Sequence, residues 1–516
     1  MNSFVFIGRT FFYQTVGIIR EVKSQMPDSD CTMLVAARSD TLDLLNSYDD
    51  CSYARYDWLS EYEAQWLDTP VDKKKLAHYE KKFGTQKLRA IVTSDRELGI
   101  GFVSGGVYAE SKLLKLTRDS DDLRWRYVIG LLDYLYETFK RDKPEFVFAY
   151  CIAAATPYAM YLVAKDLGIT FIQPVSPKID NTYIIDDTMY QSLTLVQETF
   201  AKAKKDSKVV KDSIKKADEY IDKIRNRPQI PEYINQMKKE SLSQAKISGM
   251  VRTLAIDCAR WGAIMLGLKG TSGVIRQRKG WAILLENWNV FLESRKALRG
   301  KTFANVNLDE VGPYIYFPLH VDPEASTMVL ADQLTDQMFI IETVAKNMPA
   351  GMKVLVKEHI PSIGRRPKGY YERIRNMPDV TLVSPFMDSF ELIKKCETVF
   401  TVTGTAAWEA MILGKPAIMM GYIHYTNLKK GLIHCTDIAN IGEAIIQSSS
   451  LEKTDEEELR LYIASLFEEG VYFPEALWYD SELEGDDEVS KKVVNKIKRL
   501  IAINKEQNNT KTRKAA

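Results

Sequence analysis

Short apolar runs alternate with stretches of helical periodicity along most of the chain. SFVFIG reads as a strand, the segment around GIIREVKSQM as a helix and CTMLVAAR as a second strand. EFVFAYC, a helix through Tyr161 and ITFIQPV repeat the pattern. Near-continuous apolar strands separated by helices predict a parallel sheet covered on both faces, here over residues 1–188. Between 189 and 304 the texture changes. AKAKKDSKVVKDSIKKADEYIDKI is helical and lysine-rich, and after RNRPQIP comes further helix with Trp261, Trp281 and Trp288 and no strand run. This predicts a helical insertion. The alternation returns over 305–450 in PYIYFPL, MKVLVKE, VTLVSP, TVFTVTG and PAIMMG, with helices from Leu330 to Asn347 and in SFELIKKC. Residues 451–516 read as helices ending in a frayed basic tail, NKEQNNTKTRKAA. The fold class expected is α/β, two Rossmann-like domains facing a cleft, and a ligand in that cleft would touch both.

The length, 516 residues, suits two large domains, and 45% hydrophobic with 27% charged residues excludes a disordered, collagen-like or coiled-coil protein. Lysine plus arginine is 70 and aspartate plus glutamate 69, a balance that does not suggest a nucleic-acid coat. The six cysteines, Cys31, Cys51, Cys151, Cys258, Cys396 and Cys435, form no CxxC pair, which argues against a zinc finger or disulfide scaffold and fits a reducing, cytosolic compartment. The N-terminal apolar run is short and broken by Arg9, unlike a signal peptide. Phe146 to Ala164 is uncharged and about as long as a membrane span. Its strand-like start and Pro157 divide it instead into a buried strand and a packed helix.

Three stretches at predicted strand ends carry candidate chemistry. In TVFTVTGTAAWEAMILGKPAIMMG, Thr403, Gly404 and Thr405 form a small polar turn before a helix, whose first N–H groups favour an anion. Gly404 admits a phosphate closely, and Glu409, one turn in, is placed to accept from ribose hydroxyls. The alternative is Thr405 as a plain N-cap and Glu409 on a solvated face. In VLVKEHIPSIGRRP, Lys357 and His359 alternate and share a face suited to a phosphate leaving group, with Arg365 and Arg366 as further anion contacts. In YFPLHVDPEAST, His320 and Glu324 lie in a loop that would receive a donor or acceptor sugar; their spacing with His359 is unlike a metal motif.

The N-terminal half offers less. Gly8, Arg9 and Thr10 follow the first strand without forming GxGxxG. TSDRELGIGFVSGGVYAES places Asp95, Arg96 and Glu97 before a glycine-rich loop, where a carboxylate serves as a general base or merely pairs with its neighbouring arginine. SPKIDNTYIIDD supplies Lys178 and Asp180 after another strand.

FPLHVDPEAST, KEHIPSIGRRPKGYYERI, LVSPFMDSFELIKKC and TVTGTAAWEAMILGKPAIMMG together resemble bacterial capsule polysaccharide biosynthesis proteins, including the capsule-type Kdo glycosyltransferases of GT-B fold. The resemblance is dense over about 310–425 and weaker toward the N-terminus, where GRTFFYQ, SDRELG and SPKID are compatible. It implies transfer of a sugar from a nucleotide-activated donor, CMP-linked and Kdo-like, to a glycan or glycolipid. It also implies a Lys-x-His-Pro motif at the donor phosphate, carried here by Lys357 and His359 with Ile360 inserted before Pro361. The Thr403–Thr405 turn and Glu409 match the phosphate and ribose elements. The catalytic base falls in the N-terminal domain, on Asp95 with Asp180 in reserve, and Arg9 and Lys178 serve the acceptor. No cofactor is expected, and Lys357, Arg365 and the helix start would supply positive charge in place of a metal. Membrane contact would be peripheral, at the inner face of the cell membrane, through the lysine-rich helix or the basic tail. Two alternatives stand beside this reading: a nucleotide-sugar 2-epimerase of the same fold, and a non-catalytic polysaccharide assembly or binding subunit.

Overall fold

The computed structural model describes residues 1–8, 11–36, 55–102, 111–179, 181–226, 238–240, 242–243, 245–266, 276, 280–299, 301–473 and 487–515. Arg9 and Asp180 lie outside the described residues, as do most of the glycine-rich loop after Phe102 and the segment RPQIP.

The apolar runs of the first domain form β1 (Ser3–Ile7), β2 (Cys31–Val35), β4 (Phe146–Ala149) and β5 (Thr170–Val175), and two further strands that the pattern does not predict join them, β3 (Arg55–Trp58) and β6 (Thr182–Asp186). Those of the second form β7 (Tyr314–Pro318), β8 (Lys353–Lys357), β9 (Val380–Val383), β10 (Thr398–Thr401) and β11 (Ala417–Met419), to which the structure adds an unexpected β12 (Leu432–His434). A last short strand, β13, is Val471–Tyr472. The first sheet runs β13-β6-β5-β4-β1-β2-β3, with β5 to β3 parallel and β6 and β13 antiparallel at one edge. The second runs β12-β11-β10-β7-β8-β9 and is wholly parallel.

Both sheets are buried on two faces, as the unbroken apolar runs require. In β7, Tyr314 and Tyr316 enter one apolar layer while Ile315 and Phe317 enter the other. In β4, Val147 and Ala149 face one side and Phe146 and Phe148 the other. The uncharged stretch Phe146–Ala164 is β4 followed by the helix Ala155–Asp166, which Pro157 enters in its first turn, where its missing N–H costs nothing. Among the described residues no helix is long and apolar enough to cross a membrane.

Strand order locates the crevices. In each sheet the chain lays down its first strand, then adds strands to one side and afterwards to the other. The reversal falls between β1 and β4 in the first sheet and between β7 and β10 in the second. Connections there leave in opposite directions and open a space beyond the carboxyl ends of the strands.

The C-terminal segment is helical, as expected up to about residue 503, but the last helix continues through the expected frayed tail to Ala515. The helix Glu456–Glu469 packs on the helices Thr194–Ala203 and Lys211–Arg225, fastened by a bidentate Arg460–Asp218 pair at 2.6 and 2.7 Å. The chain then adds β13 to the first sheet, and the helix Asp487–Ala515 lies over Val16 and Ile19, burying Val493, Val494, Ile497 and Leu500. Asn504, inside the expected tail, is buried and donates to Thr170 Oγ1 at 3.0 Å. The segment looks polar because only one face of the helix is apolar, at heptad-like spacing among lysines. Replacing Leu500 with alanine should therefore cost about 2–5 kcal/mol in chemical unfolding. A C-terminal helix that does not pack on the first domain would show no change.

Candidate functional site

The crevice of the second sheet is built from the loops that leave β7, β8 and β10. Beyond β7 the chain passes through Leu319 to His320, which is buried. Its Nε2 lies 3.0 Å from Thr401 Oγ1, the last residue of β10, and accepts from the Thr403 N–H at 3.3 Å. Thr401 Oγ1 itself accepts from the Gly404 N–H at 3.0 Å, so its own proton is directed to the imidazole. A ring nitrogen that accepts from two donors is unprotonated. In keeping with this, burial, helped by His359 and Arg366, pushes the His320 pKa down to about 3.

The turn is fixed from other sides as well. Thr403 donates its hydroxyl to Ser326 O at 2.9 Å, and Tyr425 donates to Gly404 O at 2.6 Å. Gly404 has an ordinary φ of −78, but a Cβ there would run into Thr401 Oγ1 and crowd the His320 ring. Space rather than conformation demands glycine. The helix Thr405–Ile412 starts at this point with no side-chain cap. The N–H groups of Thr405 and Ala406 belong to its first turn, which an α-helix cannot bond internally, and the Thr405 side chain is exposed. Thr405 is therefore not the plain N-cap.

Beyond β8, Glu358 is buried and Lys357 and His359 are not, as alternation expects. Glu358 accepts from Arg366 at 2.8 and 2.9 Å and from Tyr371 at 3.1 Å. Arg366 also reaches Asp322 at 3.3 Å and the carbonyl of His320. Asp322 accepts further from Thr327 at 2.8 Å and from Gln337, whose Oε1 takes the His320 N–H at 2.7 Å. Burial pushes the Asp322 carboxyl up to about 6, against the pull of Arg366. Burial works against the Arg366 charge, but Glu358 outweighs it and holds that pKa above the ordinary arginine value. Arg366 is thus spent on this internal network. It corrects the expectation of a second anion contact beside Arg365.

Lys357 is half-buried and donates to Ser389 Oγ at 2.6 Å, which also takes a 3.4 Å bond from Tyr316. Glu409 is half-buried one turn into its helix, near enough that its charge helps to raise the pKa of Tyr316 and Tyr425. His359 presents an exposed ring at the mouth. The protein packed around its base lowers its pKa, Glu358 opposing, Lys357 and Arg366 adding to the fall.

Thus His320, Thr403 and Gly404 meet directly, and Lys357, His359, Thr405 and Glu409 surround the same strand ends. His320 sits beneath the turn as its support, not in a loop that takes a sugar. Glu324 is exposed before the short helix Ala325–Met328, within 3.4 Å of Ser326 Oγ. Arg365 leans away, 3.5 Å from Glu286 of the helix Gly280–Arg299. Lys178 is exposed at φ 63 beyond β5, and its carbonyl accepts from Tyr220 at 3.4 Å. Thr401, Ser389 and Tyr425 escaped sequence reasoning because a strand end, a helix start and a lone tyrosine carry no motif.

Asp95 occupies the first domain's crevice. It is buried, with Oδ1 accepting from the N–H groups of Glu97 and Leu98 at 2.9 and 3.1 Å. Oδ2 lies 3.5 Å from the Ala155 N–H, which opens the helix after β4, and 3.3 Å from both terminal nitrogens of Arg276. Burial raises its pKa, yet Arg276 and these N–H groups outweigh that and leave it below the usual carboxylate range. The alternative pairing with Arg96 is not what forms: Arg276 comes from the insertion and also donates to Glu63 at 2.7 Å and Tyr127 at 3.1 Å. Among the described residues no cluster of His, Cys, Asp and Glu is arranged to hold a metal.

The two crevices share a boundary. The Ser326 carbonyl fixes Thr403, and Met328 and Val329, just beyond it, belong to the same apolar cluster as Ile152 and Ala155 beside Asp95. A cavity of about 560 Å³ lies along this boundary, lined by Arg89, Thr93 and Phe102 from one side and Asp332, Gln333 and Thr335 from the other.

Arg366→Ala would leave Glu358 buried without its counter-charge, and a loss of about 3–5 kcal/mol in stability is expected from denaturation curves. His320 and His424, the latter also pushed down to about 3 by burial, stay neutral in the fold but protonate when unfolded. Stability should therefore be intact above about pH 6.5 and fall below it by up to about 1.4 kcal/mol per pH unit for each histidine. Thermal midpoints between pH 7.5 and 4.5, wild type against His424→Asn, measure this, and a shallower fall is expected for the variant.

Residues 292–432 match a family model described as capsule polysaccharide biosynthesis protein. No curated protein matches the chain. Solved structures similar to it include a UDP-GlcNAc 2-epimerase from Methanocaldococcus jannaschii, 11% identical, covering 97% of this chain and 100% of that one, TM-score 0.23. Also similar are the KpsC β-Kdo 2,7 transferase of Thermosulfurimonas dismutans, 11% identical over 70% and 89%, TM-score 0.35, and the KpsC β-Kdo 2,4 transferase, 12% identical over 62% and 78%, TM-score 0.28. At such scores these likenesses bear on neither activity nor site residues. What stands is the match over 292–432, which spans the second sheet and its crevice: there the chain is similar to a capsule polysaccharide biosynthesis protein.

Proposed function

We propose that the protein is a glycosyltransferase of surface polysaccharide synthesis, of GT-B type. It would move a sugar from a nucleotide-activated donor to a glycan or glycolipid acceptor. One observation carries the reading: the reversal point between β7 and β10 holds a rigid turn leading into a helix start, with Lys357 and Glu409 on the adjoining strand end and helix. In this reading the diphosphate or monophosphate of the donor rests on the Thr405 and Ala406 N–H groups, where the helix dipole and unbonded donors favour negative charge. Lys357 neutralises the charge that develops on the leaving phosphate, and His359 binds at its outer edge. Glu409 accepts from ribose hydroxyls. His320 and Arg366 act through the turn and the loops, as positioning residues. A CMP-linked donor is the class that the resemblance to capsule-type Kdo glycosyltransferases implies for this crevice.

On the opposite wall Asp95 serves the acceptor as an ionised carboxylate. Its Oδ1 is committed to the turn, whereas Oδ2 makes the longer contacts, 3.3–3.5 Å, and is the oxygen this reading assigns to an acceptor hydroxyl. Arg276 keeps it charged, and Lys178 stands as an acceptor contact. Cleft closure would exclude water and limit donor hydrolysis. The protein's own cations carry the electrostatic load in this scheme, without a metal.

Titration calorimetry with CMP, UDP, GDP and TDP tests the donor site. One nucleotide should bind, and Lys357→Ala should weaken it about tenfold to a hundredfold, in line with a lost charge-assisted hydrogen bond. Asp95→Asn should bind that nucleotide normally and transfer at least about a hundredfold more slowly. If no nucleotide binds at millimolar concentration, a non-catalytic subunit is the better reading. If a nucleotide sugar changes configuration with no acceptor present, the 2-epimerase is.

A further inference from the structure

The insertion carries a surface unlike the rest of the molecule. Among the described residues, nine of the sixteen exposed large apolar side chains fall between residues 242 and 292. On the helix Gly280–Arg299 they form a stripe: Trp281 at 51% exposure, Leu285 at 54%, Trp288 at 42% and Leu292 at 44%. Steps of four, three and four residues put them on one face. The stripe then continues into exposed Lys296 and Arg299. The partner helix Ile247–Met265 adds Ile247 and Val251, one turn apart and more than half exposed. Apolar exposure this concentrated marks a surface that is covered in use.

Charge says what covers it. Leaving aside Arg276, which turns inward to Asp95, the described residues of 238–301 carry eight lysines and arginines against four acidic residues, a net +4 in a chain whose total is +1. Two copies meeting across a two-fold axis would bring this positive charge against itself, so a self-interface is opposed. An anionic glycan would satisfy the charge but not the leucines. Indole rings among leucines, flanked by lysine and arginine, suit the boundary between anionic headgroups and acyl chains. By contrast, the lysine-rich helix Lys211–Arg225 buries its apolar face against the helix Glu456–Glu469, and Arg225 and Lys204 pair with Glu456 and Glu458.

We infer that the outer face of these two helices seats the protein on an anionic lipid bilayer, lying in the interface without crossing it. The inner face of the same helix supports the donor site: Ser294 donates to Ile363 O at 3.2 Å, and Gly364, at φ +80, has no room for a Cβ against Val290 and Ser294. One helix diameter, about 10–12 Å, therefore separates the bilayer from Ile363 and Gly364, in the loop that follows Lys357 and His359. An acceptor anchored in that bilayer would be delivered beside the site; this last step rests on the transferase reading, while the docking does not.

Vesicle flotation of the full chain tests it, with phosphatidylcholine alone and with about 30 mol% phosphatidylglycerol added. The wild type should float with the anionic vesicles and much less with the neutral ones, and high salt should weaken binding. The triple variant Trp281→Ser, Leu285→Ser, Trp288→Ser should bind at least about tenfold more weakly, with an unchanged thermal midpoint. Leu285→Asp alone provides a milder version if the triple variant misfolds. Lys215→Glu with Lys216→Glu, on the other helix, should bind like wild type. The inference is overturned if the wild type floats with neither vesicle, if the apolar variants float as well as wild type, or if the wild type is a dimer that the triple variant makes monomeric while neither binds lipid. Vesicle binding without nucleotide binding would leave the docking standing and remove the transferase reading.

Discussion

The second domain depends on one buried ion pair. Arg366 joins Glu358 after β8 to Asp322 and the His320 carbonyl after β7, all out of water. A pair this buried recovers its desolvation cost only when its remaining lone pairs and protons are satisfied. Tyr371, Gln337, Thr327 and the His359 N–H do that here. The result is that two loops at a strand-order reversal, the places with most conformational freedom, are tied to one guanidinium. His320 is held by its backbone to this network and by its ring to β10. The turn at Thr403–Thr405 is thereby shaped before any ligand arrives, which is the form of preorganisation that electrostatic catalysis needs.

A second set of contacts joins the helix behind that turn to the helix Lys211–Arg225 and to the first domain. Trp408 donates to Tyr220 at 3.1 Å and stacks on Tyr425, whose hydroxyl holds Gly404. His424 contacts the Pro177 carbonyl at 3.1 Å, beside Lys178. The helices Thr194–Ala203, Lys211–Arg225 and Glu456–Glu469 pass between the sheets in one shared apolar cluster. The turn is thus tied to the first domain from behind, while the cavity between Arg89 and Thr335 lies at the front. Motion that opens or closes the front would pivot on this aromatic block.

The insertion contributes to both walls. Its Arg276 completes the charge cluster around Asp95, and its helix Gly280–Arg299 supports the loop at Gly364 and pairs Glu286 with Arg365. One segment thereby carries a support for each crevice and, on its far side, the apolar and basic face.

The sequence by itself determined the parallel strands that form most of both sheets, the helical character of the insertion and the strand-end positions of Lys357, His359, His320 and the Thr403–Thr405 turn. Those features come from local periodicity: an apolar run flanked by glycine, proline or a helix pattern has few ways to be buried. The turn at Thr403–Thr405 was legible for the same reason, as a glycine between hydroxyls at a strand-to-helix junction. Tertiary structure alone decided which polar residues face a ligand and which face each other. Arg365 and Arg366 are adjacent and chemically alike, yet one reaches an insertion helix and the other is buried on Glu358. His320 and His359 both come after strands, yet one supports the turn and the other is exposed. Arg276 meets Asp95 across 181 residues of chain, and Asn504 meets Thr170 across 334. Spacing cannot encode such pairings, because burial and charge partners are properties of the assembled layers rather than of neighbouring positions.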